Sequence, residues 1–218
     1  MNNIIKVLNV SHYYDGKVIL DHINFNFNEG DYFVIWGKVG SGKTTIFNLL
    51  TKNRVLMEGK IDIFGIGIND YSDKGLELLD EKIAFMPSNI YFDEDLNVSQ
   101  NMALICRTPK ISEAEALKRV DALYLIRKNM LGLNGIERIK IYLAGLIMRN
   151  PKALILDEPT GSLVGERAKE INDILDRIHQ SGVSIIVLTK KNDNFKKGYK
   201  IKTINEGRLI WRYLLAFG

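Results

Sequence analysis

Residues 37–45 have the residue types and spacing of a loop that binds phosphate groups. Glycine allows the backbone to adopt φ values that other residues avoid, so successive N–H groups and a helix N-terminus can face an anion. Lys43 supplies a positive charge for the β- and γ-phosphates, and the Thr44 hydroxyl can ligate Mg²⁺. The alternative is a glycine turn with an exposed lysine. The residues predicted to bind a nucleoside triphosphate, most simply Mg-ATP, are Gly37, Lys38, Val39, Gly40, Ser41, Gly42, Lys43, Thr44 and Thr45.

A pair of carboxylates, Asp157 and Glu158, follows the apolar run 153–156. A carboxylate at the end of a buried parallel strand lies at the ligand-binding edge of the sheet. Asp157 can hold the hydration shell of Mg²⁺, and Glu158 can polarise the attacking water or accept its proton. Such a pair alone could be a solvated strand end. Its combination with the glycine loop predicts a catalytic role for Glu158 and Lys43 and a metal-binding role for Asp157 and Thr44.

The elements that position these residues alternate between strands and helices. The run 32–36 is apolar throughout, as in a strand buried on both faces, and it leads directly into the loop. The period-two alternation of 19–27 indicates a half-buried antiparallel strand. Alternating strands and helices predict an α/β fold with a largely parallel sheet. Further strands are predicted at 4–10, 59–68, 153–156 and 183–188, helices at 44–50, 137–149 and 166–180, and a hairpin at 199–212; residues 69–82 read as a polar stretch.

Bulk composition excludes several classes of protein. The net charge of +4 includes no run of five or six like charges, so it is read as a solvated surface and no nucleic-acid partner is expected. The single cysteine, Cys106, permits no internal disulfide, which suits a reducing cytoplasm. Neither a signal peptide nor an apolar run of roughly 20 residues is seen. We therefore expect any membrane role to depend on a partner.

The glycine loop, the carboxylate pair and the spacing between them resemble the motifs of the ATP-binding cassette (ABC) ATPases. The resemblance extends over nearly the whole chain. The segment LDEPTGSL, residues 156–163, looks most like the small ATPases of the FtsE, LolD and MacB branch. The resemblance implies a P-loop NTPase core with an N-terminal antiparallel β segment and a helical subdomain. It predicts a nucleotide-binding core of residues 1–85 and 150–218, and a helical subdomain of residues 86–149 that carries the family's signature motif.

Several positions depart from the family's pattern. The signature LSGGQ appears as residues 133–137, in which Asn134 and Gly135 are still expected to contact the nucleotide of an opposite subunit. Ser88 stands at the metal-contacting glutamine position, and Val164 replaces an aspartate. Lys190 stands where the family has a histidine; it either places a positive charge near the γ-phosphate or is a solvated lysine beside Lys191.

Tyr14 falls where the family's adenine-stacking aromatic residue falls, and the resemblance predicts that role for it; the alternative is a core or surface tyrosine. The resemblance implies an ATPase subunit that forms a homodimer or heterodimer and drives an integral-membrane subunit. It also implies a peripheral position on the inner face of the cell membrane. The process would be cell division or envelope transport.

The sequence is compatible with three functions. The first is an ATPase whose hydrolysis is slow, because the departures affect the cross-subunit and γ-phosphate positions. The second is a non-catalytic module whose docking to a membrane partner depends on nucleotide. The third is another P-loop class, such as a small-molecule kinase or a GTPase; for a GTPase, the segment 189–192 has Asn192 where the guanine-binding carboxylate should be.

Overall fold

A computed structural model describes residues 2–191 and 198–211. Some positions used in the sequence analysis lie outside the described residues. They include Met1, Asn192 of the segment compared with a GTPase motif, and residue 212 of the predicted hairpin. The strands are β1 (Asn3–Tyr14), β2 (Lys17–Asn28), β3 (Tyr32–Trp36), β4 (Glu58–Ile63), β5 (Ile66–Gly67), β6 (Ile83–Met86), β7 (Ala153–Asp157), β8 (Ser184–Thr189), β9 (Lys200–Asn205) and β10 (Arg208–Trp211). The α-helices are α1 (Lys43–Leu50), α2 (Asp73–Lys82), α3 (Val98–Cys106), α4 (Glu113–Arg119), α5 (Gly135–Ile147) and α6 (Glu166–Gln180), with a 3-10 turn at Leu123–Leu125.

The chain forms two compact units, the first of which is discontinuous in sequence. The first unit comprises Met1–Gly75 and Ser184–Gly218, and the second comprises Leu76–Val183. The resemblance to the family predicts a different division, in which residues 86–149 are the helical part. That division stays a prediction. Strands β6 and β7 and helix α6 belong to the second unit, together with the other helices of that unit. This is because β6 and β7 pair with each other and α6 packs against α5.

An antiparallel sheet in the order β2-β1-β4-β5 forms one layer of the first unit. Its strands bury alternate side chains; in β2, for example, Ile23, Phe25 and Phe27 are buried while the polar residues between them are exposed. The apolar side of α1, including Ile46 and Leu49, faces the buried side chains of this sheet across a small cavity. The predicted N-terminal antiparallel β segment is therefore confirmed.

A second set of strands in the first unit carries β3 in its interior. β3 pairs in parallel with β8 on one side and with β9 on the other, and β9 pairs antiparallel with β10. The first four residues of β3 are buried, because a strand with neighbours on both sides and layers on both faces has no solvent-facing side. The terminal hairpin turns at Glu206 and Gly207, both with positive φ, as the sequence predicts.

The second unit is mainly helical around the parallel pair β6 and β7. Helix α5 is its centre, and it packs against α3, α4, α6 and β6. Helix α6 begins and ends where its 3.6-residue pattern predicts, and it buries Ile171, Ile174, Leu175 and Ile178. Cys106 at the end of α3 is fully buried, as its apolar neighbours predict.

The structure differs from the sequence-based expectation at the polar stretch 69–82, where it contains helix α2. A short, largely polar helix is difficult to recognise from the sequence, because few apolar residues indicate which of its faces is buried. No helix within the described ranges has both the length and the apolar composition needed to cross a membrane. The α/β fold with an antiparallel segment and a helical region is otherwise confirmed.

Candidate functional site

The glycine loop begins at the end of β3, where it is joined to the end of β8. The register of the parallel pair matches Trp36 with Thr189. One residue further, the Gly37 N–H donates to the Thr189 carbonyl over 3.0 Å, and the Trp36 indole N–H donates to the Lys190 carbonyl over 3.1 Å. The loop therefore starts from a fixed point of the sheet, and the backbone of Lys190 lies beside it.

Two loop glycines, Gly37 and Gly42, are required by packing. A Cβ atom on Gly37 would lie 2.6 Å from the Cγ2 atom of Ile204 and 2.8 Å from its carbonyl oxygen. A Cβ atom on Gly42 would lie 2.7 Å from Leu20 Cδ2 and 3.0 Å from the Ile19 carbonyl, and its φ is 104°. Only glycine fits these distances and this φ, so strands β2 and β9 determine the path of the loop.

The side chain of Lys43 folds over the loop. It is only 6 % exposed, and its ammonium group donates to the carbonyls of Gly37 at 2.8 Å and Lys38 at 2.9 Å. The hydroxyl of Ser41 is buried with no hydrogen-bond partner among the described residues. A bound phosphate oxygen would satisfy both an unpaired hydroxyl and an ammonium group. The loop as folded therefore fits a phosphate ligand.

The exposed side of the loop is open to an incoming ligand. Lys38, Val39, Gly40 and Thr44 are exposed and Thr45 is half-buried. Helix α1 starts directly after the loop, and its N-cap is Gly42, which has no side chain to bond the first-turn N–H groups. An uncapped helix N-terminus favours an anion, which agrees with the phosphate site predicted from the sequence.

Tyr14 lies at the end of β1 with 58 % of its surface exposed. The guanidinium carbon of Arg54 lies 5.7 Å from the centroid of its ring, within the range of a cation–π interaction. An exposed ring can stack on a base, so the position of Tyr14 is compatible with its predicted role, which stays a prediction. Sequence reasoning missed Arg54, because nothing local relates it to a tyrosine 40 positions earlier.

The carboxylate pair and Ser88 belong to the second unit. Strand β6 pairs with β7 in a register that matches Met86 with Leu156. Asp157 is the last residue of β7 and is 1 % exposed, whereas Ser88 is exposed two residues beyond the end of β6. Because the carboxyl ends of parallel strands meet at one edge, the structure brings the predicted metal-site residues Asp157 and Ser88 to the same edge.

Glu158 adopts a backbone conformation that is uncommon for its residue type. Its φ is 51°, in the left-handed region, and its carbonyl accepts the Gly161 N–H over 2.8 Å. Thr160 within this turn is 5 % exposed. Nine other non-glycine residues of the described ranges also have a positive φ, so the catalytic role of Glu158 stays a prediction.

The signature segment forms a capping box at the start of α5. The side chain of Asn134 accepts the N–H groups of Ile136 and Glu137, both over 3.1 Å, and the Glu137 carboxylate accepts the Asn134 N–H over 2.9 Å. The hydroxyl of Tyr124 also donates to Glu137 over 3.2 Å. Asn134 and Gly135 are exposed. This helix N-terminus thus carries its own carboxylate and has its first N–H groups bonded within the chain.

Arg138 joins the signature segment to another loop of the second unit. Its guanidinium group donates to both carboxylate oxygens of Glu94, over 2.6 and 3.1 Å. The same side chain donates to the carbonyls of Leu133 at 3.2 Å and Met130 at 3.1 Å, and it lies over the ring of Phe92 at 5.9 Å. Sequence reasoning missed this residue, since its acidic partner lies 44 positions away.

The described residues contain no group of three or more histidine, cysteine, aspartate or glutamate side chains that could hold a metal ion. Mg²⁺ needs no such cage, because it keeps several waters and is commonly held by one or two protein oxygens together with substrate phosphates. The predicted protein ligands, Thr44, Asp157 and Ser88, are oxygen donors of the kind that Mg²⁺ prefers, and their role stays a prediction. They belong to different units, as do Lys43 and Glu158.

Comparison with known proteins finds similarity along almost the whole chain. The family model described as ABC transporter matches residues 20–161. An ATP-dependent lipid A-core flippase of Yersinia pestis is 31 % identical over 95 % of this chain and 38 % of its own. The macrolide export ATP-binding/permease protein MacB of Mannheimia succiniciproducens is 28 % identical over 95 % of this chain and 34 % of its own. The spermidine/putrescine import ATP-binding protein PotA of Mesoplasma florum is 27 % identical over 95 % of this chain and 61 % of its own.

The chain thus spans between 34 % and 61 % of the length of these relatives. Among solved structures, cbiO1 from Clostridium perfringens, part of the ABC transporter complex cbiONQ, is similar with a TM-score of 0.81 and 30 % identity. That match covers 96 % of this chain and 88 % of the other. A dimeric bacterial ABC transporter cassette has a TM-score of 0.82 at 24 % identity, covering 94 % of this chain and 96 % of the other, and shows a common fold.

The packing of the loop glycines predicts unequal effects of alanine at two positions. In Gly42→Ala the added Cβ meets Leu20 and the Ile19 carbonyl at a positive φ, and we expect a loss of about 2–4 kcal/mol in unfolding free energy. In the control Gly40→Ala nothing lies within 4 Å, so only the φ strain of about 1 kcal/mol applies. Urea unfolding measures both, and equal losses would contradict the packing account.

The Arg138 link predicts a change in the titration of Glu94. Hydrogen bonding to Arg138 holds the pKa of Glu94 below its ordinary value. Because the folded-state pKa is lowered, the ion pair is fully formed above the ordinary carboxyl range and is lost as pH falls through the lowered pKa. In Arg138→Met we expect the pKa of Glu94 to rise and backbone amides in 130–134 to exchange faster.

Carboxyl carbon shifts in an NMR titration and hydrogen exchange measure these two effects. The matched control is Arg119→Met, which removes the pairing of Arg119 with Glu115 on α4. It should leave both Glu94 and the 130–134 amides unchanged. An unaltered Glu94 titration in Arg138→Met would show that the link does not form in solution.

Proposed function

Because the chain belongs to the family of ABC transporter ATP-binding cassettes, we propose that it binds Mg-ATP at residues 37–45 and hydrolyses it as the ATPase subunit of a membrane complex. The observation that carries this proposal is the loop itself. It buries the Lys43 side chain and a Ser41 hydroxyl that has no hydrogen-bond partner within residues 2–191 and 198–211, next to an uncapped helix N-terminus. All three groups stabilise bound phosphate.

Each predicted site residue has a distinct task in this reaction. Lys43 turns from the loop carbonyls to the β- and γ-phosphates, while the loop N–H groups and Thr45 hold the phosphate chain. Tyr14 stacks on the adenine. Glu158 orients the attacking water and accepts its proton. Mg²⁺, held by Thr44 and Asp157, would neutralise charge on the phosphates.

We propose that hydrolysis by the isolated chain is slow. Ser88 is shorter than the glutamine of the family's pattern, and Lys190 cannot both accept and donate as a neutral imidazole does. Val164, at the aspartate position of the pattern, is 76 % exposed, so its side chain offers an opposing subunit an apolar surface. These changes affect positions that sense the γ-phosphate or complete a site across a dimer.

The subunit would act as a homodimer or heterodimer with an integral-membrane partner, on the inner face of the cell membrane. In this arrangement residues 86–149 contact the partner, and Asn134 and Gly135 approach the nucleotide of the opposing subunit. The relatives named as MacB, a lipid A-core flippase and a polyamine import protein have similar sequence identities to this chain, between 27 % and 31 %. A role in envelope transport or cell division of the FtsE or LolD type is accordingly part of the proposal.

One observation favours a second candidate, a nucleotide-dependent docking module with little or no turnover. The capping box places the Glu137 carboxylate at the N-terminus of α5 and uses the first N–H groups of that helix. A carboxylate there repels an approaching phosphate. This favours a chain that binds its own ATP but completes an opposing site poorly.

Two substitutions separate binding from turnover. Lys43→Met removes the loop's cation, and we expect nucleotide affinity to fall by about 10–100-fold, the value of one or two charge-assisted hydrogen bonds. Glu158→Gln should keep the affinity and lower turnover by on the order of 100-fold or more. Calorimetric titration with ATP and a steady-state ATPase assay measure the two quantities.

The wild-type rate decides between the two candidate functions. Turnover near 10 s⁻¹, typical of enzymes generally, and abolished by Glu158→Gln would rule out slow hydrolysis. Tight ATP binding without turnover, also in the presence of the membrane partner, would support the docking module. Absence of ATP binding to the wild-type chain would overturn both.

A further inference from the structure

The hairpin of β1 and β2, which carries Tyr14 at its end, packs against the phosphate loop. Strand β1 ends at Tyr14, and the chain turns back through Asp15 and Gly16, whose φ values are 47° and 75°. Two successive positive φ values are those of a tight two-residue hairpin turn. Further along the hairpin, Leu20 of β2 lies so close to Gly42 that a Cβ atom there would be 2.7 Å from Leu20 Cδ2. The hairpin therefore holds Tyr14 in a fixed relation to the loop.

The segment that follows α1 brings Arg54 to the same hairpin end. Helix α1 begins within the loop, at Lys43, and ends at Leu50. The Arg54 N–H donates to the Asn48 carbonyl over 3.1 Å, so the chain stays against the C-terminal end of the helix. The guanidinium carbon of Arg54 lies over the Tyr14 ring, 5.7 Å from its centroid. The hairpin and α1 thus each contribute one member of this pair.

A ring with a cation over one face has its other face left for stacking. The faces of an aromatic ring carry partial negative charge, so a guanidinium group over one of them is attracted to it. Tyr14 is 58 % exposed although Arg54 lies over it, and the rest of the ring therefore remains accessible to a planar ligand. The contact with Arg54 decides which face that ligand can use.

A buried histidine lies beside this pair. His12 precedes Tyr14 by two residues on β1 and is 3 % exposed, and neither of its ring nitrogens has a hydrogen-bond partner among the described residues. Burial, and in second place the positive charge of Arg54, holds the pKa of His12 below its ordinary value. The imidazole is therefore neutral at about pH 7. It adds no positive charge that would repel Arg54 from the ring.

We propose that Arg54 is a positioning residue for the nucleotide base: it holds the Tyr14 ring in one orientation and covers one face, so that the base stacks on the other face. The inference rests on the proposed function, in which Tyr14 stacks on the adenine. A ring that is fixed before the ligand arrives loses less conformational entropy on binding. Arg54 therefore contributes to the affinity for a ligand that has a base, and not to the affinity for the phosphates alone.

The test compares Mg-ATP with magnesium tripolyphosphate, which has the phosphates but no base. In Arg54→Met we expect the dissociation constant of ATP to rise about two- to fivefold, the value of one exposed cation–π contact, and that of tripolyphosphate to stay unchanged. Arg54→Lys should restore part of the ATP affinity, because it keeps a cation that can lie over the ring. The matched control is Arg208→Met, which removes an exposed arginine of the same unit that pairs with Asp21. It should alter neither dissociation constant in calorimetric titrations.

A double substitution decides whether Arg54 acts through Tyr14. Tyr14→Ala should weaken ATP binding by about fivefold or more, the value of one base stacked on an aromatic ring, and leave tripolyphosphate binding unchanged. In the Tyr14→Ala background Arg54→Met should have no further effect, because the ring that it positions is absent. An equal effect of Arg54→Met with and without Tyr14 would overturn the inference. So would equal losses of ATP and tripolyphosphate affinity in both Arg54→Met and Arg54→Lys.

An NMR titration of the histidine rings checks the geometry in solution. In Arg54→Met the pKa of His12 should rise, because the neighbouring positive charge is removed while burial still opposes protonation. The ring signals of His179, in the second unit, are the internal control and should not change. An unchanged His12 titration would show that Arg54 does not lie beside the hairpin end, and it would overturn the inference.

The same titrations keep this inference distinct from the proposed function. If wild type binds ATP and Arg54→Met binds it equally tightly, the inference about Arg54 alone fails. If Tyr14→Ala leaves ATP affinity unchanged, the stacking role of Tyr14 and this inference fail together, while the proposal of ATP binding stands. If wild type binds neither ligand, the proposed function fails, and the inference fails with it.

Discussion

The close approach of backbone to side chain at Gly37 and Gly42 is the constraint on which the candidate phosphate site depends. Ile204 of β9 and Leu20 of β2 occupy the space that any Cβ atom would need. The hydrogen bond from Gly37 to Thr189 extends the ladder between β3 and β8 into the loop. The loop is thereby positioned by three strands before a ligand arrives, and the Lys43 ammonium group is held near the position of the phosphates by the loop's own carbonyls.

In the second unit, polar side chains hold neighbouring loops in place through hydrogen bonds to their backbone. Asn101 and Arg138 have several partners each, and they order the loops around 93–97 and 130–134. Such networks add rigidity because every member is bonded. Arg149 is buried with its Nε–H unbonded among the described residues.

Local sequence patterns predicted much of the fold. The bounds of α6 and the turn of the terminal hairpin follow directly from apolar periodicity and from glycine and asparagine at the turn. Ser112 is the N-cap of α4, and its side chain accepts the Glu115 N–H, as is common for serine at this position. Helix α2 was missed because its sequence is largely polar, and the grouping of β6, β7 and α6 with the helical region was not foreseen. That grouping depends on strand pairing and helix packing, which no single segment encodes.

The sequence by itself determined the chemistry of the candidate site, because the glycines, Lys43, Thr44, Asp157 and Glu158 are recognised from residue type and short spacing. Tertiary structure decided which residues support that chemistry. Ile204 restricts Gly37 from 167 positions away, and Arg138 bonds Glu94 from 44 positions away. Periodicity and motifs report on neighbours along the chain, whereas contacts between distant segments arise only when the strands and helices pack.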